Sequence, residues 1–360
     1  MVIDSGPLGA GGTVNEAFVT VTICSPNSPT TCQTIDHILV DSGSYGLRLL
    51  SSVLSSSVAL PQETDSNGNP IVECTPFADG YSWGPVKTVN LQMAGETANA
   101  LPIQVIGDPN FTSVPQSCSS SAPRQEDTVA AFRANGVLGV GPFAQDCGTV
   151  CVQNVIPAAY YSCSGTGACQ EISVSLAQQV ANPVTFFAQD NNGVVISLPS
   201  LNGAAPTVSG SLIFGVGTQA NNALGNAQVF TIDPNTGYFT TTYKGAQYPD
   251  SFIDSGSNGI YFSDSTIAQC SGGSGFYCPA STLSLSAMNT GTNGTTGTVN
   301  FQVGSEANLA SGNAAYSLLA GTNTARTSFD WGLPFFFGRN VFYVIQGDSA
   351  AGGVGPFYAY

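Results

Sequence analysis

The 360-residue sequence predicts a mostly β fold made of two related lobes. Three observations point there: short β-type runs punctuated by turn residues, scarce helical periodicity, and an internal repeat around Asp-Ser-Gly-Ser. Glycine and proline number 42 and 21, and both favour turns over regular elements. Between them, Phe18–Ile23 (FVTVTI), Thr88–Met93 (TVNLQM) and Val229–Ile232 (VFTI) are rich in β-branched and aromatic residues and read as strands. The best helical stretch is Glu171–Val180 (EISVSLAQQV), ended by Asn182-Pro183.

The repeat carries the lobe assignment. One copy runs from His37 through Asp41, Ser42, Gly43 and Ser44 to Gly46 and Leu49. The other runs from Ser251 through Asp254, Ser255, Gly256 and Ser257 to Gly259 and Phe262. In each, an apolar strand ends on Asp-Ser-Gly-Ser and a glycine opens a second apolar run. An echo follows: Thr88–Gln92 (TVNLQ) begins 47 residues after Asp41, and Thr298–Gln302 (TVNFQ) begins 44 residues after Asp254. The chain is therefore divided into an N-terminal β lobe, residues 1–200, with Asp41, and a C-terminal β lobe, residues 201–360, with Asp254. The join is placed in the turn-rich stretch Pro199–Gly217, with strands near it and at both termini open to sharing. Asp4-Ser5-Gly6 is followed by Pro7 and by no apolar run, so it reads as a turn after an N-terminal strand.

Composition narrows the partners. Charged residues are 8% of the chain, and 22 acidic residues face 7 basic ones for a net charge of −15. Such a surface repels phosphate backbones and anionic membranes, so neither nucleic acid nor a membrane surface is an expected partner. No apolar run approaches the ~20 residues a spanning helix needs, so no membrane insertion is expected. An acidic, lysine-poor surface suits low pH, where protonation relieves self-repulsion; it serves plain solubility equally well.

Ten cysteines accompany a single histidine, His37, with no tight Cys-x-x-Cys pair. Zinc sites need such ligands, so disulfides are expected rather than a metal. They imply an oxidising compartment, hence a secreted protein, extracellular or periplasmic. Sequons at Asn110 and Asn293 are compatible with that, and Met1 is read as standing where a leader was removed. Short-range pairing suggests Cys24–Cys32 and Cys270–Cys278, with Cys74–Cys118 as a longer link. Cys147, Cys151, Cys163 and Cys169 pair among themselves in one of three connectivities.

The repeated tetrapeptide can carry chemistry. A buried strand delivers each Asp to the core's edge, and Gly43 and Gly256 let backbone amides approach the carboxylates. Ser44 and Ser257 can donate to the outer oxygens, and Ser42 and Ser255 can bond across to the opposite loop. Two adjacent carboxylates cannot both ionise easily, so the pair shares a proton and titrates as a unit. His37 sits at a strand entry, poorly placed as a base, and Gly136–Gly141 contains no phosphate-binding lysine.

With Asp41–Ser44 and Asp254–Ser257 both matching Asp-Thr/Ser-Gly-Thr/Ser, the chain resembles the pepsin-like aspartic peptidases. Asn135–Pro142 (NGVLGVGP), Gly210–Gly217 (GSLIFGVG) and Leu333–Ile345 (LPFFFGRNVFYVI) resemble further segments of that family, while Asp79–Pro85 (DGYSWGP) is closer to a bacterial secreted family known only as a domain of unknown function. The resemblance implies a bilobal pepsin-like acid-protease fold with pseudo-twofold related lobes. It implies a monomeric endopeptidase that hydrolyses protein or peptide substrates at acidic pH through a water activated by Asp41 and Asp254, without metal or cofactor.

Three positions depart from the family. Pro334 stands where its closing segment has glycine, Arg48 where it has tryptophan, and Phe77 where its flap has tyrosine, with Tyr81 the nearest tyrosine. The family's Tyr–Trp hydrogen bond is thereby lost. An Arg48 guanidinium over the Phe77 ring is expected in its place, with a looser flap; the alternative is Phe77 packed in the core and Tyr81 covering the cleft. The alternative reading is a secreted binding or inhibitor module that keeps the fold with little turnover.

Overall fold

The computed structural model describes residues 1–164 and 167–360, and the fold is mostly β. In the first half, β1 (Ala17–Ser25) and β2 (Ser28–Asp41) form a hairpin across Pro26-Asn27. They are followed by β3 (Tyr45–Leu50), β4 (Ile71–Pro76), β5 (Tyr81–Met93), β6 (Glu96–Ile106) and β7 (Gly136–Val140), all in one eleven-stranded sheet. The three sequence-predicted strands fall inside Ala17–Ser25, Tyr81–Met93 and Val229–Thr231, with Ile232 just beyond the last.

In the second half, β8 (Phe239–Tyr243) and β9 (Ala246–Ile253) are joined by Lys244-Gly245, both at positive φ as a tight hairpin turn requires. Then come β10 (Ile260–Tyr261), β11 (Leu283–Thr290), β12 (Thr296–Val303) and β13 (Asp330–Trp331), in a seven-stranded sheet. A five-stranded sheet draws on both halves. Gly193–Ser197 lies between Ser211–Phe214 and Asn340–Val344, and Phe357–Ala359 and Val229–Thr231 complete it. The main apolar core runs through both halves, from Ile38 and Leu138 to Phe329 and Trp331.

The Asp-Ser-Gly-Ser repeat folds the same way twice. β2 runs parallel to β7, with Asp41 opposite Gly139, and β3 returns antiparallel with Gly46 opposite the same glycine. β9 runs parallel to β13, with Ile253 opposite Trp331, and β10 returns antiparallel with Ile260 opposite Trp331. Gly139 and Gly332 are therefore counterparts. A Cβ on Gly139 would lie 2.4 Å from the Tyr45 amide nitrogen, and one on Gly332 2.1 Å from the Gly259 carbonyl oxygen. The position that needs glycine is thus Gly332. Pro334 lies two residues further on, in the first turn of the 3-10 segment Leu333–Phe336.

Two sequence expectations are corrected. TVNLQ lies in β5, the strand beside β1; the equivalent neighbour of β8 is β11, whereas TVNFQ lies in β12, the counterpart of β6. The echo reflects shared strand composition, not equivalent position. Glu171–Val180 is also no α-helix: Cys169–Glu171 is a strand, and only Leu176–Gln178 makes a 3-10 turn. Ile172, Val174 and Leu176 alternate at period two, which suits extended chain. The buried Gln179 amide donates to the Gly148 and Val174 carbonyls, which pins this extended stretch in place.

All ten cysteines are paired: Cys24–Cys32, Cys74–Cys118, Cys147–Cys151, Cys163–Cys169 and Cys270–Cys278. Five disulfides fit an oxidising environment. No helix among the described residues is long and apolar enough to cross a membrane. Cys74–Cys118 closes 44 residues, the longest loop of the five. Replacing both cysteines with alanine is expected to cost about 4 kcal/mol in urea unfolding through restored chain entropy. A smaller loss is expected from removing Cys147–Cys151, which closes 4 residues.

Candidate active site

β2 and β9 end at the floor of a cavity of about 690 Å³, which Asp41 and Asp254 both line. Each carboxylate is held by its own loop. The Gly43 amide donates to Asp41 Oδ1 at 2.8 Å, and the Ser44 hydroxyl donates to Oδ2 at 2.5 Å. The Gly256 amide donates to Asp254 Oδ1 at 2.8 Å, and the Ser257 hydroxyl donates to Oδ2 at 2.8 Å. The two carboxyls hydrogen-bond each other. Glycine is required between them: a Cβ on Gly43 would lie 2.8 Å from the Asp254 carboxyl carbon, and one on Gly256 2.6 Å from Asp41 Oδ1.

Ser42 and Ser255 clamp the loops together. The Ser255 amide donates to Ser42 Oγ at 2.8 Å, and the Ser42 amide to Ser255 Oγ at 3.1 Å. Ser255 Oγ donates directly to the Val40 carbonyl at 2.7 Å. On the other side, Ser42 Oγ donates to the Tyr343 hydroxyl at 2.9 Å, which donates to the Ile253 carbonyl at 3.1 Å. Tyr343 sits in Asn340–Val344, and nothing in its neighbours along the chain marks it for this place.

Burial chiefly, then the charges of Asp41 and Asp330, raise the Asp254 carboxyl well above the usual range, against the Ser257 hydrogen bond. Asp254 is thus the carboxyl of the pair that holds a proton. Burial also raises Tyr45, which faces both aspartates. Sequence reasoning missed Glu16, Glu126 and Asp330. All three line the cavity and are nine-tenths or more buried. Glu126 is raised to about 7 and Glu16 to about 8, by burial first. Asp330 is raised to about 8 by burial and the charge of Asp41. An acidic residue inside an otherwise apolar strand, as in Phe329-Asp330-Trp331, was the available signal.

The β4–β5 hairpin covers the cavity. Its tip closes with the Phe77 amide donating to the Gly80 carbonyl at 2.7 Å, and Phe77, Ala78 and Asp79 line the cavity. The Phe77 ring meets Phe132 edge-on at 5.9 Å. Tyr81 is not a cavity residue: it is buried, with its hydroxyl toward Gln125.

Arg48 does not meet Phe77. It is fully buried under the hairpin's base, where Nη2 donates to Glu73 at 2.6 Å and Asp146 at 3.1 Å. Its Nη1 donates to the Tyr45 carbonyl at 2.7 Å, and its Nε to the Thr75 hydroxyl at 3.0 Å. The buried Glu73 carboxylate and the mostly shielded Asp146 carboxylate outcompete an aromatic face for a guanidinium. Since Glu73 and Thr75 lie on β4, Arg48 ties the hairpin to β3, which removes the ground for expecting a loose flap.

A search of curated proteins returns no match. A family model, however, spans residues 1–360, covering both repeat copies, the hairpin and every cavity residue above. The chain accordingly belongs to the family described as a protein of unknown function, DUF3443.

Proposed function

We propose that this protein is a secreted aspartic endopeptidase with a pepsin-like bilobal fold, acting on protein or peptide chains at acidic pH. The observation that carries the reading is the pair Asp41 and Asp254. Two equivalent strand ends bring them into hydrogen-bonding contact at a cavity floor, held by matching amide and hydroxyl donors. Asp41 accepts a proton from a water held between the carboxyls, and the water oxygen attacks the scissile carbonyl carbon. Asp254 gives its proton to the carbonyl oxygen, forming a tetrahedral diol. Asp41 then gives its proton to the amide nitrogen while Asp254 takes one from a diol hydroxyl; the C–N bond breaks to leave a carboxylic acid and an amine, and the pair is restored. The hairpin tip at Phe77 covers the chain. Incubation with a denatured protein across pH 3–7 tests the reading; intact substrate at every pH rejects it.

The raised carboxyls support acidic working conditions. Glu16, Glu126 and Asp330 bind protons more tightly folded than unfolded, so their stabilisation is complete below pH ~4. It is lost as pH rises through about 7 to about 8. Asp108 and Asp264, held low by hydrogen bonds that include Lys87 and Lys244, act oppositely and lose stabilisation only on further acidification. The thermal midpoint is expected to lie several degrees higher near pH 4.5 than near pH 8. Equal midpoints would contradict this balance.

A further inference from the structure

Val137 and Asp330 occupy corresponding places beside the dyad. In β7, Val137 lies opposite Leu39; in β13, Asp330 lies opposite Phe252. All four line the cavity. Three are apolar, as walls flanking a buried reaction centre would be, and the fourth is a carboxylate.

Asp330 is 6% exposed, and its Oδ1 has no hydrogen-bond partner among the described residues. Its other neighbour is the Ser257 hydroxyl, whose single proton already serves Asp254. Asp41, Asp254 and the Tyr261 ring face it, and none supplies a positive charge. A buried carboxyl left this way is costly, and an aliphatic side chain would have met the symmetry more cheaply.

Glu16 repeats the pattern in the same cavity: it is 8% exposed with Oε2 unpartnered. Seven carboxylates line the cavity against two guanidiniums. One of these, Arg124, is already engaged by Asp79 and Glu126; the other, Arg133, acts on Glu16 and Glu126. The unmet requirement is a cation that arrives with the ligand.

We propose that Asp330 determines specificity, receiving a lysine or arginine side chain of the substrate beside the scissile bond on the second-half side of the cavity. This rests on the peptidase reading above. Without substrate Asp330 is a neutral acid; entry of the ammonium or guanidinium ionises it and releases a proton to solvent. Asp330 thereby exchanges an unsatisfied burial for a charge-assisted hydrogen bond.

Two sets of short peptides, identical except for lysine or norleucine at residues flanking the cut, read the effect. The wild-type kcat/KM ratio is expected to favour lysine about 10-fold or more at one position. Asp330→Asn and Asp330→Val are each expected to bring that ratio to within about 2-fold. A purely structural role would depress both peptides together and leave the ratio unchanged. A wild-type ratio near one, or a ratio that survives both variants, overturns the proposal.

A binding arm separates this proposal from the peptidase reading. Fluorescence anisotropy with Asp254→Asn is expected to show tighter binding of the lysine peptide, lost in Asp254→Asn/Asp330→Val. If the wild type cuts nothing, the peptidase reading falls and this arm decides alone: equal binding of the two peptides rejects a cation site at Asp330.

Discussion

Asp41→Asn and Asp254→Asn are each expected to reduce acid peptidase turnover by about 10³-fold or more, with the fold retained. Asparagine keeps the size of the side chain and one carbonyl oxygen. That oxygen can keep accepting from the Gly43 amide after the first change and from the Gly256 amide after the second, while the Ser44 or Ser257 hydroxyl turns to accept from the new NH2 group. What is lost is a site that can exchange a proton. At position 41 the water has no base; at position 254 the carbonyl oxygen has no acid, and nothing shares the proton. The two losses are expected not to add, because the pair acts as a unit. Release of peptides from a denatured protein near pH 4, with thermal melts of each variant, measures both parts. Cleavage that survives either change sinks the dyad mechanism. Peptide binding without cleavage in the wild type would favour the binding-module reading instead.

Arg48→Met is expected to destabilise the fold by about 3–5 kcal/mol near neutral pH, the largest loss among single substitutions considered. Arg48 and Glu73 have side-chain exposures of 0% and 1%, so removing the guanidinium strands carboxylates away from water. Glu73 Oε2 already has no partner among the described residues, and Asp146 would keep the Tyr160 hydroxyl at 2.7 Å and its contact with Glu73 but no positive charge. Burial and the charge of Glu73 push Asp146 up, so protonation is available to relieve the strain in charge. The penalty is therefore expected to shrink toward pH 4. Arg48→Lys is expected to rescue little, because one ammonium cannot reach Glu73, Asp146, Thr75 and the Tyr45 carbonyl together. Urea unfolding at pH 7 and pH 4 checks both statements. A loss below 1 kcal/mol at pH 7 would show that water reaches the cluster.

The catalytic candidates were legible because their signal is local. Asp-Ser-Gly-Ser behind an apolar strand, written twice, specifies strand, loop and donors within a few residues, and the folded loops supply those donors to Asp41 and Asp254. The mostly β character and the short disulfide Cys24–Cys32 were legible for the same reason, since alternation and small loops are near-neighbour properties. Arg48 was noticed as unusual but given the wrong partner. Its ligands Glu73 and Asp146 lie 25 and 98 residues away, and no local pattern announces them.

The sequence by itself determined that two equivalent loops each present a carboxylate with its own donors, that strands dominate, and that the cysteines pair. Only the tertiary structure decided that Gly332 rather than Pro334 is the counterpart of Gly139, and that Tyr343 completes the serine clamp 301 residues from Ser42. It also decided that Glu16, Glu126 and Asp330 converge on the cavity. The physical reason is that hydrogen-bond geometry and backbone turns are encoded over a few residues. Burial, and with it the proton affinity of a carboxylate, depends on which distant strands close over it.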